Sequence, residues 1–68
     1  MTDHELLDAV RQAAAEMITA RATRQAQKHR AEAIRAADAA RVPREDIAAA
    51  AGLKWPMNRQ RWSQLKHD

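Results

Sequence analysis

The chain contains no cysteine, phenylalanine or tyrosine, a single glycine and two prolines among its 68 residues. Each absence excludes a class of chemistry. Without cysteine there is neither a disulfide nor a thiolate metal site, and His4, His29 and His67 are scattered without paired ligand spacing, so no structural zinc or cofactor is expected. One glycine is too few for a phosphate-cradling loop. No His–Asp pair is placed to activate Ser63, the only serine, and Asp8, Glu16, Glu32 and Asp38 read as solvated helix charges rather than an acid–base pair. An enzyme is therefore not expected. Long apolar runs are also missing, and the N-terminus lacks the basic and apolar regions of a secretory leader, so the expected location is the cytoplasm.

What is present is mostly alanine and charge. Of the 31 residues behind the 46% hydrophobic content, 17 are alanine, which favours a thin, helical core. Below roughly 70–80 residues a single core rarely supplies more than about 3–5 kcal/mol. With disulfides and metals excluded, a partner is the expected source of further stability. The net charge of +3 is unevenly spread: residues 1–20 carry −3, residues 21–44 carry +5 and residues 45–68 carry +1. That asymmetry points to a polyanion for the later part of the chain and a different partner for the first.

Thr2 followed by Glu5 fits a capping box, so a helix should start there. From Asp3 to Arg41 neither Gly nor Pro intervenes, and 39 helical residues would span about 58 Å at ~1.5 Å per residue. A compact chain of this size has a radius of gyration of about 11 Å and a diameter near ~28 Å. The helix must either break near Thr23 to Arg30 or be covered by another chain, and the apolar pattern favours the second. Leu6, Leu7, Val10, Ala14, Met17 and Ile18 form one stripe, which narrows to a small-residue seam of Ala22, Ala26, Ala33, Ala37 and Ala40 beside Ile34. The stripe reads equally as a dimer or partner interface and as core folded against the C-terminal half. The cluster Arg21, Arg24, Lys28 and Arg30 reads first as solubilising charge and second as a phosphate-tracking ridge, and His29 as an exposed polar residue.

Pro43 suits the start of a second helix, Glu45 and Asp46 complement its dipole, and Gly52 ends it after Ile47 to Ala51. Lys54-Trp55-Pro56-Met57 is a connector. Asn58 is a good N-cap for a last helix, Arg59 to Lys66, with Trp62 and Leu65 as its buried pair. Two short helices around a Gly-plus-apolar turn are the parts of a helix-turn-helix, with Ala48 and Ala51 small so that the second helix can cross close to the first. Trp55 reads either as a projection toward DNA or a partner, or as cover for the core beside Trp62, and the second is favoured.

The run Ala33-Ile34-Arg35-Ala36-Ala37, then Val42-Pro43-Arg44-Glu45-Asp46-Ile47-Ala48-Ala49-Ala50-Ala51-Gly52-Leu53, then Arg59-Gln60-Arg61-Trp62-Ser63-Gln64-Leu65 resembles the small helix-turn-helix DNA-binding proteins of high-GC actinobacteria and their phages. The resemblance covers residues 31–66 and departs from the family by four extra turn residues, Lys54 to Met57. Together with the helix signals above, it points to an all-α fold in which a long N-terminal helix (residues 1–30, for dimerisation or partner binding) precedes a helix-turn-helix domain (residues 31–68) with an extended turn. It further implies base contacts from Asn58, Arg59, Gln60, Ser63 and Gln64, and phosphate contacts from Arg44, Lys54 and Arg61. The expected function is that of a dimeric, nucleoid-associated regulator that represses by occluding double-stranded DNA. The alternative is a protein-binding adaptor whose stripe from Leu6 to Ile18 docks on a larger host protein.

Overall fold

The computed structural model of the chain describes residues 2–19 and 23–67, which form four α-helices and no strand. They are α1 (Asp3–Thr19), α2 (Arg24–Ala39), α3 (Arg44–Ala50) and α4 (Arg59–His67). The all-α class is as expected, and α1 starts at the expected cap, with the Glu5 amide donating to Thr2 Oγ1 at 3.2 Å.

The continuous helix expected from Asp3 to Arg41 is instead two helices. Thr23 has extended backbone (φ −63°, ψ 162°), and its hydroxyl accepts the Ala26 amide at 3.2 Å, so α2 begins anew. Ala26 stands where a capping box would place Glu or Gln, which makes this start quieter in the sequence than Thr2-Glu5. The physical reason for folding back is burial. A straight rod would leave Leu6 and Val10 in water, whereas here both are buried against α2 and α3, along with Ala13. The seam and the stripe are thus two sides of one helix–helix contact. Ala26, Ala31 and Ala37 are buried on α2, small enough for close approach, while Ala40 is exposed and Ala22 lies outside the described residues. Glu16 Oε2 and His29 Nδ1 join the hairpin at 2.7 Å. The Glu16 hydrogen bond raises the His29 pKa above 6.5, so this link is present below that value and is lost as pH rises through the raised one.

The result measures 28 × 27 × 17 Å, with a radius of gyration of 10.8 Å. α2 is the central element and touches the other three helices. Leu6 and Val10 share one core with Ile34, Val42, Ile47, Trp62 and Leu65. The boundary expected at residue 30 therefore falls inside α2, and a single core spans both sides of it.

Two corners set the path from α2 to α4, and they share a geometry. At the end of α2 the Val42 amide donates to the Ala37 carbonyl (3.1 Å) and the Arg41 amide to that of Asp38 (3.0 Å), with Arg41 at φ 64°. At the end of α3 the Leu53 amide donates to Ala48 (2.8 Å) and the Gly52 amide to Ala49 (3.1 Å), with Gly52 at φ 73°. Both are Schellman caps, in which a left-handed residue satisfies the last carbonyls. Glycine occupies one corner as expected, and an arginine occupies the other.

This asymmetry makes a test. Left-handed backbone costs a residue with a Cβ about 1–2 kcal/mol. Arg41→Gly should therefore raise the thermal midpoint by a few degrees, the gain being trimmed by unfolded-state entropy. Gly52→Ala should lower it by a similar amount although no atom lies within 4 Å of the added Cβ, because the cost is in φ alone. Melting followed by circular dichroism checks both, and unchanged midpoints would refute the assignment.

Candidate nucleic-acid interface

Nine residues of α4 divide cleanly by helical period. Trp62 and Leu65 are buried, Lys66 is half-buried, and Arg59, Gln60, Arg61, Ser63, Gln64 and His67 are exposed. At 3.6 residues per turn, Gln60, Ser63, Gln64 and His67 occupy the middle of the outward face. Arg59 and Arg61 flank it on opposite sides. The four exposed base-reading candidates on the helix are thus brought to one side, with Arg59 nearer its rim than its centre. His67, not among the expected contacts, belongs to that side through its spacing of seven from Gln60 and three from Gln64, a signal already present in the sequence.

Asn58 begins the helix as its N-cap. Its Oδ1 accepts the Arg61 amide at 2.7 Å and its carbonyl accepts that of Trp62 at 3.1 Å. The Asn58 side-chain oxygen is therefore committed to the helix start, which leaves only the NH₂ side for another partner.

The far end of α4 is tied to α2. An Arg35 guanidinium nitrogen donates to the Lys66 carbonyl, and Lys66 Nζ donates to Asp38 Oδ2 at 2.8 Å. Arg44 at the start of α3 joins the same carboxylate, Nε to Oδ1 at 3.5 Å, and lies over the Trp62 ring at 5.3 Å from its centroid. Asp38 thereby links α2, α3 and α4. The Lys66 hydrogen bond, aided by the charges of Lys66 and Arg44, holds the Asp38 carboxyl below its ordinary 3.8 against partial burial. Arg44, expected on a phosphate, is first a structural residue. Lys54 and Arg61 are exposed.

The turn differs from a compact helix-turn-helix. Eight residues separate Ala50 from Arg59, and no Cα of α4 comes within 8 Å of one in α3. The expected close crossing of α4 over Ala48 and Ala51 is not formed. It is α1 that packs against α3, while α4 docks on α2.

The stripe expected to meet a partner is largely consumed. Leu6 and Val10 are buried in the chain's own core, Leu7 and Ala14 pack against it, and Met17 is half-buried. Ile18 alone in the stripe is left open, 85% exposed.

Charge along the chain favours anions at the α4 end. From Ile47 to His67 there is no Asp or Glu, against Lys54, Arg59, Arg61 and Lys66. Lys66 and His67 suit the negative end of the helix, but Arg59 and Arg61 stand at its positive end, where each cation costs up to about 1 kcal/mol. No group of three or more His, Asp or Glu among the described residues is arranged to hold a metal, and no described helix is long and apolar enough to cross a membrane. No protein-family model, curated protein or solved structure matches the chain.

Asp38 yields a pH prediction with a definite sign. Its folded pKa lies below its unfolded value, so its contribution is fully present above about pH 4 and is lost as pH falls through the lower folded value. Asp38→Asn should reduce stability at neutral pH by about 1–2 kcal/mol and flatten the loss on the acid side. Urea melts at neutral pH and in acid measure both, and parallel curves for the two proteins would refute the role.

Proposed function

We propose that the protein binds double-stranded DNA with sequence preference, laying α4 in the major groove, and acts as a small regulator that occludes its site. The observation that carries this reading is the outward side of α4: an exposed row of hydrogen-bonding side chains, flanked by cations and free of carboxylates. A major groove about 12 Å wide admits one helix. Arg59 and Gln60 lie in the first turn, the part of a recognition helix that reaches base edges, with bidentate options on guanine and adenine. Ser63 and Gln64 follow one turn later. Placing Arg59 and Arg61 at the positive helix end is locally unfavourable, and phosphates on either side of the groove would reverse that penalty. The resemblance of residues 31–66 to small helix-turn-helix DNA-binding proteins supports the same reading, with a longer turn.

One nine-residue helix reads only a few base pairs, so specificity calls for two copies on a near-palindrome with half-sites about 34 Å apart. A molecule 28 Å across suits neighbours at that spacing. A second reading is favoured by Ile18 alone, whose exposure at the end of α1 suits a protein partner. Salt separates the two, because phosphate contacts release counterions and an apolar contact does not.

The test is selection of bound sequences from a random duplex pool. A motif should be enriched, and affinity for it should fall with salt with a log–log slope of about −2 to −3 per bound copy, as expected for two or three phosphate contacts in each. Arg59→Ala should flatten the preference by about 1–3 kcal/mol, whereas Lys54→Ala should weaken all sequences alike. Lys54 is the phosphate probe rather than Arg44 because Arg44 also holds Asp38 and Trp62. No enrichment, or full affinity in both variants, would overturn the reading.

A further inference from the structure

Trp55 sits in the connection between α3 and α4, three residues before the Asn58 cap. Its ring meets that of Trp62 edge-on, with centroids 6.1 Å apart and planes at 82°. Trp62 is in turn covered by the Arg44 guanidinium. Trp55 is thus held in place, yet it remains 40% exposed in a chain with no Phe or Tyr and few large apolar residues. Covering Trp62 would require only an aliphatic side chain. The exposed ring follows Lys54, lies in the stretch without carboxylates, and adjoins the end of α4 that carries Arg59 and Arg61.

We propose that Lys54 and Trp55 form a second contact with the duplex that α4 reads, on the sugar–phosphate backbone flanking the groove. The inference rests on the DNA-binding reading. An indole offers an apolar face for a deoxyribose and an N–H that only donates, which matches phosphate oxygens that only accept. The adjoining lysine supplies the charge. Backbone contact is favoured over insertion between bases because more than half of the residue is already covered by the protein and its ring is held against that of Trp62. Such a contact carries no sequence information. It fixes the register of α4 and lengthens the footprint, giving the four extra turn residues a role in binding.

The chain has only two tryptophans, Trp62 buried and Trp55 exposed, so a quencher in solution reaches Trp55 in preference. The experiment uses the full chain and a dye-labelled duplex about 20 base pairs long, two helical turns, carrying the selected sequence or, absent one, random sequence at low salt. Anisotropy of the dye reads binding, and acrylamide quenching reads exposure of the ring. Bound duplex should protect Trp55 from acrylamide, and Trp55→Leu, which retains cover for Trp62, should bind all sequences roughly three- to tenfold more weakly with an unchanged base preference. If duplex binds while quenching of the wild-type protein is unaltered, the Trp55 contact is refuted and the α4 reading stands. If the anisotropy shows no binding, both fall together.

Discussion

The structure depends on one contact, the packing of α1 onto an alanine-lined α2. The chain has too few large side chains to build a thick core, so it relies on close approach instead. Ala13 on α1 and Ala26, Ala31 and Ala37 on α2 are all buried, and the backbones can come near enough for Leu6, Val10 and Ile34 to fill the space between them. Everything else is hung from α2. α3 packs on both helices of the hairpin with Ile47 and Ala48 buried, and α4 docks on α2 with Trp62 and Leu65 in the same core.

Electrostatics then fixes α4 where packing alone would be thin. A nine-residue helix buries only two large side chains, and isolated helices of that length are unstable in water. Asp38 and Arg35 supply what the apolar contact does not. One binds the Lys66 ammonium, the other the Lys66 carbonyl, so the last turn of α4 is held by charge and by a capped backbone. Arg44 extends the same system to the start of α3 and to the Trp62 ring. This arrangement uses the cations on the inner side of α4 for structure and leaves Arg59 and Arg61 on the outside. Those two stand at the positive end of α4 without a carboxylate on that helix.

Much of this was legible in the residues taken in order. The Thr2 cap, the Asn58 cap, the Gly52 corner, the burial of Trp62 and Leu65 and the outward set on α4 follow from local rules that act within a turn or two of helix. The break near Thr23 was one of two readings and the less favoured, because one threonine without a Glu or Gln three places on is a weak signal inside a strongly helical stretch. The left-handed Arg41 was not legible, since local preference would have chosen glycine there and the burial of Val42 prevails. The structural role of Arg44 was hidden for a different reason: its partners Asp38 and Trp62 lie 6 and 18 residues away, beyond any local pattern.

By itself the sequence determined the helical class, the caps at Thr2, Gly52 and Asn58 and the polarity of each helix face, because these depend on propensity, short hydrogen bonds and periodicity. Only the tertiary structure decided what covers each apolar face. The Leu6-to-Ile18 stripe had two equal readings until the hairpin folded all but Ile18 inward, and α3 proved to pack on α1 and α2 rather than on α4. Burial is a relation between distant segments, and no spacing within one segment records which partner meets it.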